Sequence, residues 1–184
     1  GGADFYFLHK LFQLENVGEI NTTMVMPSPR ISNRTPFGTG TIMKKMEEED
    51  SSICTYHIQS FIDVKNFFAI VPDLFTLEAD KAGRLIKTLP ATVQLFLHAN
   101  NFSEKLIEIK KNSATSASFV KRFYAWFSAF RIIKYLNYVH EKHYSKISVT
   151  EACFELLKLM NYEAMPEKDG KALLLAYRAL QKSC

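Results

Sequence analysis

From Asp63 to the C-terminus the chain is punctuated by helix-start signals, and their succession constrains the fold more than any other feature. A helix leaves its first N–H groups without intrahelical partners. A hydroxyl or acidic residue ahead of an apolar run, or proline at the first helical position, therefore marks a start. Thr76 stands before "LEADKAGRLIKTL" with acids in the first turn, Thr88 and Pro90 before "ATVQLFLHA", Ser103 before "EKLIEIKK", and Ser118 before a long basic aromatic segment. Ser148 and Glu151 form an S-x-x-E capping box ahead of "CFELLKLM", and Pro166 opens "EKDGKALLLAYRALQKS". Upstream, "DVKNFFAIV" reads as a helix that ends before Pro72, because proline lacks a donor and restricts the residue before it. The pattern predicts a mainly α fold, a single-domain helical bundle whose body spans residues 63–183.

The first third reads differently. "FYFLHKLFQL" (Phe5 to Leu14) suits a helix or a strand equally. Asn21 to Thr41 gathers three prolines and two glycines, which is loop chemistry around a short strand at Thr23 to Met26. "KKMEEED" (Lys44 to Asp50) is a solvated charge run. In "ICTYHIQSFI" (Ile53 to Ile62), Cys54, Tyr56 and Ile58 alternate with Thr55, His57 and Gln59, so a half-buried strand is expected, with a helical start as its competitor. Residues 1–50 are thus a loop-rich appendage with room for one or two short strands, within one domain of residues 1–184.

Composition removes several classes. Only 7 glycines in 184 residues argue against folds built on glycine-rich phosphate turns. Phe119 to Val139 is apolar but interrupted by Lys121, Arg122, Arg131 and Lys134. Each such charge costs roughly 2.5 to 3.5 kcal/mol near a bilayer centre, so no transmembrane segment is expected. Cys54, Cys153 and Cys184 are odd in number and lack metal-ligand spacing, which favours an intracellular setting, cytoplasmic or nuclear, without disulfides. Three glycosylation-type triplets, at Asn21, Asn33 and Asn101, matter only in a secreted chain. The opening "GGADF" carries neither Met nor a signal-peptide pattern, which leaves room for a preceding leader or domain.

No catalytic or cofactor signature stands out, and neither a cofactor nor a metal is expected. His140 and His143 lie three apart but lack a third ligand, and no H-E-x-x-H pattern occurs. Cys54 and His57 are neighbours, yet a cysteine on the inner face of a strand is structural. "FGTGT" (Phe37 to Thr41) lacks the lysine of a phosphate loop and reads as a turn. The R-x(4–6)-H pattern of helical ribonuclease-like domains is missed, since eight residues separate Arg131 from His140. Ser28-Pro29 and Thr35-Pro36 match proline-directed phosphorylation sites and, more simply, turns.

The net charge of +4 is unevenly spread. Lys105 to Lys146 holds nine basic and two acidic residues, or +7, and the rest holds fourteen basic and seventeen acidic, or −3. A continuous helix over residues 119–143, turning by about 100° per residue, gathers Ala125, Trp126, Ala129, Ile132, Ile133 and Leu136 into a core seam. Opposite lie Lys121, Tyr124, Phe127, Arg131, Lys134, Tyr135, Tyr138 and Lys142.

The expected function is a non-catalytic interaction or assembly module that binds a protein partner or a second copy of itself. One alternative is RNA or single-stranded DNA bound by Lys121, Tyr124, Arg131, Lys134, Tyr135, Tyr138 and Lys142, rings on bases and cations on phosphates. The same face also suits a peripheral anionic membrane. A third reading is an enzyme with His57, His98 or His140 as acid or base in a helical pocket.

Overall fold

The computed structural model describes residues 53–183 continuously, residues 3–12, and eight isolated positions between residues 14 and 44. The chain divides into two compact units, Cys54–Tyr162 and a second made of Gly1–Ile53 with Glu163–Cys184. In the second unit the ambiguous N-terminal run is helical, α1 at Ala3–Phe12, with Phe7 and Phe12 exposed. The loop expected over Asn21 to Thr41, its strand at Thr23 to Met26, the charge run and both Ser/Thr-Pro motifs fall wholly or largely outside the described residues.

The larger unit is helical, as its start signals predict. It runs β1 Cys54–Thr55, α2 Ile58–Leu74, α3 Ala79–Ile86, α4 Ala91–Ala99, α5 Phe102–Lys111, α6 Ser116–Trp126, α7 Ala129–Lys142, β2 Ile147–Ser148 and α8 Val149–Leu159. The final helix, α9 at Gly170–Ser183, belongs to the other unit. β1 and β2 pair antiparallel, Cys54 opposite Ser148 and Thr55 opposite Ile147.

The expected strand over residues 53–62 is therefore only two residues long. His57 ends it by capping α2, its Nδ1 accepting from Gln59 N–H at 3.1 Å, and Cys54 is exposed rather than on a buried face. α2 is the spine of the unit. Ser60, Asp63, Val64, Phe67, Val71 and Leu74 recur at helical spacing and are all buried. Phe67 is fully enclosed and meets Phe102, Phe123 and Phe127 edge to face at 5.5, 5.5 and 5.3 Å. Each such ring pair contributes about 0.5 to 1.5 kcal/mol beyond area burial. That core also explains why α2 runs through Pro72: Val71 and Leu74 are both wholly buried, and their packing outweighs the one backbone bond that proline removes.

Several caps differ from expectation. Thr76 donates its hydroxyl to Asp73 C=O and closes α2, so α3 begins after Glu78. Asn101, in the left-handed region at φ 50°, precedes α5, displacing Ser103 into its first turn. Thr115 caps α6 in a reciprocal box with Ser118, which is thus the third helical residue. Asp169, accepting from Lys171 and Ala172 N–H, sets the start of α9 beyond Pro166. Ser148 caps α8 where the sequence places it, accepting from Glu151 N–H at 3.1 Å.

The long basic aromatic helix is two helices. Phe127 leaves helical geometry at φ −90°, ψ 57°, and Ser128 is the N-cap of α7. The break lets Phe127 drop into the core, 2% exposed, between Phe67, Phe68 and Phe96. It also resets the helical phase, so the expected seam does not form. Leu136 is buried, but Ala125, Ala129 and Ile133 are exposed and Trp126 and Ile132 only half-buried.

Candidate interaction site

α3 presents Ala79, Ala82, Gly83 and Ile86 along one face, at the i, i+3, i+4, i+7 spacing that ordinarily packs against a neighbouring helix. Ser103, Leu106, Ile107 and Lys110 of α5 stand across from them, and a cavity of about 230 Å³ separates the two rows. It continues into a second depression of about 490 Å³, which shares Gly83, Ile86 and Ser103 and is bounded on α4 by Ala91, Gln94, Leu95 and His98. A Cβ built on Gly83 would meet nothing within 4 Å, so the floor stands open above that residue.

The groove is apolar and incompletely covered. Ala82 and Leu106 are buried in its floor, whereas Ile107 is 61% and Leu95 47% exposed at its edges. Full burial of a Leu or Ile side chain contributes roughly 1.5 to 3 kcal/mol, a gain that the fold does not realise at these two residues. Lys110 donates its ammonium to Leu77 C=O and fixes the far end of α5 to the connection before α3. Lys87 and Lys110 are the lining cations, and no carboxylate lines the groove among the described residues.

The sequence singled out a different surface, whose residues differ in exposure. Lys121, Lys134 and Lys142 are exposed, and Tyr124 is 41% exposed. Tyr135 is 1% exposed, beyond the reach of a stacked base. Arg131 lies over the Trp126 ring at 4.1 Å and donates Nε–H to Trp126 C=O at 3.0 Å, bridging the break between α6 and α7. Burial lowers its pKa from the usual value. Trp126 is also stacked on Phe102 at 5.2 Å, and Tyr138 sits against Phe96 and beneath Lys142. Rings and cations are therefore occupied largely with one another.

Two of the three histidines, His57 and His140, are brought together, both against the Tyr144 ring at 5.7 and 6.0 Å. His140 donates Nδ1–H to Leu136 C=O at 2.7 Å and accepts His57 N–H on Nε2 at 2.7 Å, so both its nitrogens are engaged with the backbone. The Nδ1 of His57 is the α2 cap. His98 is exposed at the groove wall. Among the described residues no three His, Cys, Asp or Glu side chains assemble as a metal site.

One polar cluster was invisible in the sequence. Asp63, 1% exposed, accepts on Oδ1 from Gln59 at 2.9 Å and on Oδ2 from Thr92 at 2.8 Å and Tyr144 at 2.7 Å, with Tyr135 at 3.4 Å. Burial raises the Tyr135 and Tyr144 pKa values above the ordinary 10.0, and the bond to Asp63 raises them further. The carboxylate is fully satisfied by protein donors, and no pocket opens onto it among those described. It ties α2, α4, α7 and the segment after α7 together.

No helix among the described residues is long and apolar enough to cross a membrane. Comparison with protein-family models, with curated proteins and with solved structures finds no match to this chain, so function is argued from geometry alone.

Proposed function

We propose that this chain is a non-catalytic protein-interaction module that receives an apolar segment of a partner in the groove between α3, α4 and α5. The observation that carries the reading is the coincidence of an open floor at Gly83 with the exposed Ile107 and Leu95 on its two banks. A metabolite site is ordinarily concave, with a few convergent polar groups among apolar walls. Here two of the polar lining residues, Gln94 and Lys110, are turned to the Lys87, Leu89 and Leu77 carbonyls, which leaves Lys87, His98 and Ser103 among mainly apolar walls. What the groove offers is surface for apolar side chains. An intracellular setting belongs to this reading, since Cys54, Cys153 and Cys184 are odd in number and lack metal-ligand spacing.

Site-specific photocrosslinking tests the reading. A photoreactive residue in place of Ile107 is expected to yield a discrete protein adduct that disappears when Gly83→Leu plugs the floor. The same residue in place of Lys121 is expected to yield none. Adducts at residue 121 alone, to protein or nucleic acid, contradict the groove and restore the basic aromatic face as the binding surface.

A further inference from the structure

The groove's charge and shape narrow its occupant. We infer that it takes an amphipathic helix whose apolar ridge is flanked by carboxylates, an inference that rests on the groove being the binding surface. The warrant is threefold. The α3 wall consists of small residues at helix-packing spacing, Ala79, Ala82 and Gly83, the arrangement that lets a second helix axis approach closely. Ile107 on α5 and Leu95 on α4 supply exposed apolar anchors beside that wall, so an i, i+3, i+4, i+7 ridge finds contacts on more than one helix.

The third element is charge. Of the charged residues of α3, its C-cap and α5, Lys87 and Lys110 line the groove, and no carboxylate does among the described residues. Lys105 and Glu108 pair with each other at 2.6 Å and line a separate depression with Arg122 and Trp126, so neither adds to the charge of the groove. The lining is therefore positive, with Lys87 exposed at its edge. Such a lining selects an acidic flank and disfavours a basic one, and the preference weakens with salt.

The test uses two synthetic helical peptides with one shared leucine ridge, one flanked by Glu and one by Lys, titrated calorimetrically into the whole chain. The Glu-flanked peptide is expected to bind at least ten-fold more tightly at low ionic strength, with the difference shrinking in high salt and after Lys87→Glu. Gly83→Leu is expected to abolish binding of both. Equal binding of the two peptides, still blocked by Gly83→Leu, overturns the acidic-helix inference and leaves the groove as an apolar site. Binding of neither peptide, or binding that Gly83→Leu leaves intact, overturns the groove itself.

Discussion

The Asp63 cluster and the α3–α5 groove differ in what each leaves unsatisfied. Around Asp63 four side chains converge on one buried carboxylate, every buried side-chain polar atom in the described residues has a partner, and neighbouring rings close the space. Along the groove the backbone is equally regular, yet Ile107 and Leu95 remain in water beside an open floor. A polar network closed on itself specifies how helices pack. An apolar surface left open is what the proposed binding role would use.

Substitutions should separate the two regions sharply. The largest effect is expected in the core beneath them: Phe67→Ala removes a ring enclosed by three others and should cost about 3 to 5 kcal/mol in urea unfolding. Asp63→Ala comes next, because it strands buried donors at Thr92 and Tyr135, each costing about 1 to 3 kcal/mol. Neither should be rescued by any groove ligand beyond ordinary mass action.

Tyr135→Phe is milder, about 1 kcal/mol, and carries a pH signature. The folded state raises the pKa of Tyr135 and Tyr144, so the unfolded chain ionises first, near the ordinary 10.0. Their contribution is complete below pH 10 and declines as pH rises through the folded values. Urea midpoints measured at pH 8 and pH 11 should fall less in Tyr135→Phe than in the parent protein. An equal fall would detach these phenols from the alkaline limb.

The smallest change in stability is expected at the groove. Gly83 sits mid-helix with space above its Cα, so Gly83→Ala should stabilise by about 0.5 to 1 kcal/mol, read as a raised thermal midpoint. A loss would mean that the floor is already filled.

Helical class and several boundaries were legible in the sequence because caps are local. Ser148 with Glu151, and Pro90 before α4, act through hydrogen bonds or dihedrals spanning a few residues. The break at Phe127 and Ser128 was not legible, since a lone serine within an apolar run signals weakly and the cause lies in Phe67, sixty residues away in sequence. Asp63 and Tyr144 are separated by 81 residues and meet only in the fold. The groove left a faint trace. Leu106, Ile107 and Ile109 span more of α5 than one buried face can hold, so one of them had to be exposed, and Ala79, Ala82 and Gly83 make a small-residue face without a sequence-adjacent partner.

Whether the groove is open in the folded chain and serves binding is tested most directly by a paired measurement on Gly83→Leu. Thermal unfolding should show a midpoint equal to or above that of the parent chain, while the photoadduct formed from position 107 is lost. A lowered midpoint would show that the space is not there, and a persistent adduct would show that the partner does not use it.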